Sequence, residues 1–103
     1  MSTAVRPWFV YLIECRGGSI YTGISTDVEA RYQAHLSGKG ARYTRMHPPQ
    51  RLLAVIPCSD RSTALAAECR IKALPPAEKR TLASEHPYLS RTDPAATARD
   101  SRA

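Results

Sequence analysis

Two consecutive glycines, Gly17-Gly18, stand between two short runs rich in β-branched and aromatic residues, Trp8–Cys15 and residues 20–24. Strand-like runs joined across a glycine pair read as a β-hairpin, because glycine reaches the positive φ that a tight hairpin turn demands. An isolated hairpin is marginal in water, so the rest of the chain has to cover it. Tyr11 and Tyr21 fall on neighbouring strands. Whether they share a face depends on register, which the turn does not fix uniquely.

The remaining punctuation supplies the cover. Thr26-Asp-Val-Glu29 has the spacing of a capping box, and the pattern predicts a helix over residues 27–37 that stops at Gly38. Val28, Tyr32 and Leu36 form its apolar stripe, with Arg31 and His35 as a second stripe at the border of the buried face. Residues 38–49 carry glycine at one end and proline at the other and read as a basic loop. Residues 52–58 read as a third strand, with Pro57 marking its end or a sheet edge. Asp60 caps a predicted helix over residues 61–74, stopped by Pro75-Pro76. Its apolar arc is Ala64, Ala67, Ile71 and Leu74, widened by Leu65 and Cys69, and Glu68 lies inside that arc. Residues 76–85 read as a last helix with proline in its first turn. The expected fold is therefore α+β, with a small antiparallel sheet. Residues 1–7 read as an N-terminal arm, 8–86 as the domain and 87–103 as a flexible C-terminal tail.

Size and charge limit what such a domain does. A chain of 103 residues buries one compact core with little room for a deep cavity, which favours a surface or groove site. With 43% hydrophobic and 23% charged residues it is ordinary globular material. No apolar run reaches the ~20 residues of a membrane span, and the stretch before Glu14 is too short for a signal-peptide core, so a cytoplasmic protein is expected. The three cysteines, Cys15, Cys58 and Cys69, form no C-x-x-C pair and read as small buried hydrophobes, not as a disulfide framework or zinc site. The formal charge is +6, and its distribution says more than its size. Residues 30–59 contain no acidic side chain but hold Arg31, Lys39, Arg42, Arg45 and Arg51, with His35 and His47 between them. A block of this kind suits a polyanion.

Two tyrosines on adjacent strands, Arg and His on one helical face, and a glutamate on another helix form a set able to hydrolyse a phosphodiester. A hard metal ion takes oxygen ligands such as Glu68. Tyr or neutral His would serve as base for water, and a fixed Arg stabilises negative charge at phosphorus. Singly, each residue also has a structural explanation: tyrosine as packing, Arg31 and His35 as a solvated face, Glu68 as an i,i+4 partner of Lys72. A carboxylate on a buried stripe fits such an explanation least well, because burial without a partner is costly.

The ordered series resembles the GIY-YIG nuclease superfamily, in its small bacterial members. The two short family motifs correspond to Val10-Tyr11-Leu12 and Tyr21-Thr22-Gly23. Arg31-x-x-x-His35 follows at the family spacing, then the basic loop Ser37–Arg45, then Glu68-x-x-x-Lys72 and Ala77-Glu-Lys-Arg80. The resemblance covers residues 8–82. It implies a three-stranded antiparallel sheet flanked by helices and a metal-dependent endonuclease acting on DNA more than RNA. In that reading Tyr11 is the base or orients the water, Tyr21 positions water or phosphate, Arg31 holds the phosphate, and His35 assists proton transfer. Glu68 binds Mg²⁺ or Mn²⁺, Gly23 lets the backbone approach the site, and Lys39, Arg42 and Arg45 contact the nucleic-acid backbone. Val-Tyr-Leu replaces Gly-Ile-Tyr in the first motif, Pro75-Pro76 replaces a polar linker, and the acidic residue frequent after the third strand is missing.

A chain of this length is expected to carry no second domain that selects a substrate, so weak, salt-sensitive binding with little sequence specificity is expected, in a setting such as DNA repair or processing. Two other readings compete: a non-catalytic nucleic-acid-binding module, and a subunit of a larger repair complex whose protein partner supplies specificity.

Overall fold

The computed structural model describes residues 7–86. The expected arm, apart from Pro7, and the expected tail lie outside the described residues. The element order is β1 (Trp8–Cys15), β2 (Ile20–Ser25), α1 (Val28–Leu36), α2 (Arg42–Met46), β3 (Pro49–Cys58), α3 (Arg61–Lys72) and α4 (Pro76–Glu85).

The hairpin forms at the glycine pair. The Gly18 amide donates to the Cys15 carbonyl at 3.0 Å, and Gly17 and Gly18 have φ of 91° and 92°. Positive φ at the third turn position is the glycine site of a type II turn. β1 is the centre of a three-stranded sheet of order β2-β1-β3, antiparallel on both sides. That is the expected α+β architecture.

β1 is buried on both faces, so alternate residues feed two cores. Val10 and Leu12 pack with Ile20, Ala54, Ala64, Ile71 and Ala83 under α3 and α4. Tyr11, Ile13 and Cys15 face the other way, with Val28, Tyr21 and Tyr32. One edge of β3 is occupied at Val55, whose amide donates to the His86 carbonyl at the end of α4. Arg80 of α4 ties the hairpin down: its guanidinium reaches Glu14 at 2.7 Å and the Gly18 carbonyl at 2.7 Å.

Several local expectations are corrected. α1 is capped by Asp27, which accepts from the Ala30 amide at 3.1 Å, and not by a Thr26–Glu29 box; Asp is the stronger cap of two adjacent candidates. The buried face of α1 carries Val28 and His35, whereas Leu36 is 47% exposed. The stripe thus runs one residue earlier than apolarity suggests, because a histidine bonded at both ring nitrogens tolerates burial. The predicted loop over residues 38–49 contains α2. Strand β3 starts earlier, at Pro49, and α3 ends earlier, at Lys72. Leu65 and Cys69 are exposed and Cys58 is only partly buried, so of the three cysteines only Cys15 is a core residue.

Candidate active site

The register aligns Tyr11 with Gly23 and Ile13 with Tyr21. Tyr11 and Tyr21 are therefore diagonal neighbours on one face, with ring centroids 6.3 Å apart. Gly23 is small for a specific reason. A Cβ there would stand 2.5 Å from the Tyr11 hydroxyl oxygen and 2.6 Å from Cζ. Its backbone approach is thus to the Tyr11 ring.

α1 crosses this face and lowers His35 onto both tyrosines, its ring centroid 5.8 Å from Tyr11 and 5.0 Å from Tyr21. His35 Nε2 lies 2.9 Å from Tyr11 Oη, and Nδ1 lies 2.7 Å from Thr44 Oγ1. The Thr44 hydroxyl in turn donates to the Ala41 carbonyl at 3.0 Å. Tyr11, His35 and Thr44 are 1%, 1% and 2% exposed, which makes this a dry chain of hydrogen bonds. Sequence reading missed Thr44 and Gly40. A Cβ at Gly40 would strike His35 Nδ1, so glycine is what brings the α2 segment against the imidazole. The two glycines around Lys39 were the available signal.

α1 ends in a Schellman motif: Gly38 donates to the His35 carbonyl and Lys39 to the Ala34 carbonyl. That turn redirects the chain into α2, which buries Thr44 and leaves Arg42 and Arg45 exposed, as Lys39 also is. Tyr43 stacks on Tyr21 with centroids 5.9 Å apart, and His47 lies over Tyr43 at 4.5 Å.

Two charged side chains, Arg31 and Glu68, act on the Tyr11 hydroxyl with opposite signs. Burial, with the neighbouring Tyr21, pushes the Tyr11 phenol up to about 12, although Arg31 pulls the other way. Desolvation outweighs the pull of Arg31. Glu68 also acts on Tyr11, raising it through its charge. Burial, and then Arg31, pushes the His35 imidazole below its ordinary value, so it is neutral at pH 7.

Glu68 sits on the rim of the α3 stripe with its side chain 18% exposed and pairs with Lys72 at 3.4 Å. Among the described residues no group of three or more His, Cys, Asp and Glu converges. A lone carboxylate fits Mg²⁺, which keeps several waters and is typically held by one or two carboxylates together with substrate phosphates. It does not fit a closed tetrahedral zinc cage.

Comparison with known proteins supports this fold. Residues 7–80 match the GIY-YIG catalytic domain. A UPF0213 protein of Xanthomonas axonopodis pv. citri is 55% identical over 76 residues, covering 74% of each chain. One from Cupriavidus necator is 49% identical over 93 residues, 90% of this chain and 98% of its own. UPF0213 protein YhbQ of Escherichia coli K12 is 49% identical over 81 residues, 79% of this chain and 81% of its own. The solution NMR structure of a UPF0213 protein from Bacillus halodurans superposes with a TM-score of 0.50 at 37% identity, covering 89% and 93% of the two chains. The chain belongs to the GIY-YIG family, and within it to the UPF0213 proteins. Among the described residues no helix is long and apolar enough to cross a membrane.

Proposed function

We propose that this chain is a divalent-metal-dependent endonuclease that hydrolyses nucleic-acid phosphodiester bonds, DNA rather than RNA, with little sequence specificity. The observation that carries the reading is the 2.9 Å contact between Tyr11 Oη and His35 Nε2. It is a buried phenol–imidazole pair with an arginine and a carboxylate acting on the same hydroxyl.

A phenol pushed to about 12 holds almost no phenolate at pH 7, so Tyr11 acts by relay. As water attacks phosphorus, its proton moves to Tyr11 Oη while the phenolic proton moves to His35 Nε2. A P–O bond forms, the bond to the departing oxygen breaks, and that oxygen takes a proton from solvent. His35 then returns its proton through Tyr11 to water. Arg31 donates to the phosphate oxygens that gain charge, and Tyr21 orients water or phosphate from the sheet. Glu68 would hold the divalent ion, which when bound neutralises charge on the phosphate. Lys39, Arg42 and Arg45 run along the backbone of the substrate and fix position, not sequence. The setting is DNA repair or processing in the cytoplasm, with a partner protein able to add specificity.

The test is cleavage of labelled single-stranded, duplex and branched DNA with Mg²⁺, Mn²⁺ or EDTA, and with Glu68→Gln. Metal-dependent cutting that Glu68→Gln abolishes is expected. Undiminished DNA binding with no cutting under any condition would favour the binding-module reading instead.

A further inference from the structure

The relay works in one direction only if the proton of neutral His35 sits on Nδ1, and we infer that Thr44 is the positioning residue that holds it there. This deepens the nuclease reading and rests on it for its catalytic meaning. The tautomer itself can be checked without any cleavage.

Counting protons makes the assignment. A threonine hydroxyl has one proton, an arginine side chain donates only, and a carbonyl accepts only. Thr44 gives its proton to the Ala41 carbonyl, so toward His35 it is an acceptor, and the imidazole nitrogen facing it at 2.7 Å must carry hydrogen. Nδ1–H leaves Nε2 with a free lone pair, aimed at Tyr11 Oη 2.9 Å away. Tyr11 therefore donates to His35 and keeps its own oxygen lone pairs for the attacking water. Every proton then has an acceptor. The reverse arrangement fails. If Thr44 donated to Nδ1, Nε2–H would point at Tyr11, and the phenolic proton would have no acceptor among the described residues. A buried donor without an acceptor costs about 1–3 kcal/mol, and this chain of groups is 1–2% exposed along its length.

The local fold serves this interaction. The Schellman turn at Gly38 and Lys39 reverses the chain, Gly40 admits it against the imidazole where a Cβ would collide, and the first turn of α2 supplies both Thr44 and its acceptor, Ala41. The basic segment between α1 and β3 thus reaches inward as well as outward. Arg42 and Arg45 face solvent, and Thr44, between them in sequence, reaches the imidazole.

The experiment is ¹⁵N NMR of His35 in the wild type, Thr44→Val and Thr44→Ser. Thr44→Val keeps the branched shape and removes the hydroxyl, and Thr44→Ser keeps the hydroxyl. Wild type and Thr44→Ser are expected to show a protonated Nδ1 and an unprotonated Nε2, and Thr44→Val a substantial Nε2–H population. In cleavage assays Thr44→Val is expected to lower kcat by roughly 10–10²-fold, within the ~10²–10⁴ that general base catalysis supplies, with KM unchanged and Thr44→Ser restoring the rate. A wild-type Nε2–H tautomer overturns the inference and needs no variant to fold. A Thr44→Val protein with an unshifted tautomer also overturns it. A wild type with the expected tautomer but no cleavage on any nucleic acid overturns the nuclease reading and leaves the tautomer assignment standing.

Discussion

Replacing Gly23 by alanine puts the account of Tyr11 under direct strain. The new Cβ would stand 2.6 Å from Tyr11 Cζ and 2.5 Å from its oxygen, against ~3.5–4.0 Å for relaxed carbon contacts. Gly23 cannot retreat, because it is paired with Tyr11 across the hairpin of the central strand. The ring must therefore withdraw by about 1 Å, and in a core packed at native density such overfilling costs about 1–3 kcal/mol. At ~4–8 °C per kcal/mol for a domain of this size, thermal melting should fall by at least ~4 °C. A displacement of about 1 Å at a reacting group costs on the order of 10² in rate, and Tyr11 Oη would move out of its 2.9 Å hydrogen bond with His35. Circular-dichroism melts and single-turnover cleavage of a labelled DNA duplex measure the two effects. A Gly23→Ala protein that melts within ~1 °C of wild type and cuts within threefold of its rate would refute the close fit of ring and backbone.

Four further outcomes follow from the same geometry. Thr22→Val should stabilise the fold by ~1 kcal/mol in urea unfolding, because the Thr22 hydroxyl is buried with no hydrogen-bond partner among the described residues; a loss of stability would show a hidden partner. Arg51 and Arg80 hold the Glu14 carboxyl below its ordinary value. Its contribution to stability is therefore present above the unfolded carboxylate pKa and lost as pH falls through the lowered folded value; Glu14→Gln should flatten that acid limb in melts across pH. His35 is depressed in the fold, so the unfolded chain takes up a proton first, and stability should decline as pH drops below ~6.5; the decline should shrink in His35→Gln. Changing Lys39, Arg42 and Arg45 together to alanine should weaken DNA binding uniformly across sequences. The slope of log K against log salt should fall by up to ~0.9 for each duplex phosphate left without its cation, measured by fluorescence anisotropy.

Much of the frame was legible because it rests on local chemistry. Gly17-Gly18 places the hairpin turn, Asp60 caps α3 by accepting from the Thr63 amide at 2.8 Å, and proline at N1 sets the start of α4 at Pro76. Tyr11, Tyr21, Arg31 and His35 were legible as a spaced series, and the fold gathers them around the Tyr11 hydroxyl. What the pattern could not show was tertiary. Apolarity assigned Leu36 to the core and His35 to its border, whereas His35 is the buried one, since hydrogen bonds at both nitrogens offset its polarity. Five-residue α2 has no apolar period to detect. Thr44, a small polar residue in a basic segment, shows its role only once α2 folds back onto α1.

The central claim is that the buried Tyr11 hydroxyl, and not the fold around it, moves the proton from water. The most direct measurement is the single-turnover rate of Mg²⁺-dependent DNA cleavage by Tyr11→Phe against wild type, with DNA affinity measured in parallel. A loss of at least ~10² in rate with affinity unchanged is expected. A Tyr11→Phe protein that binds and cuts as wild type does would contradict it.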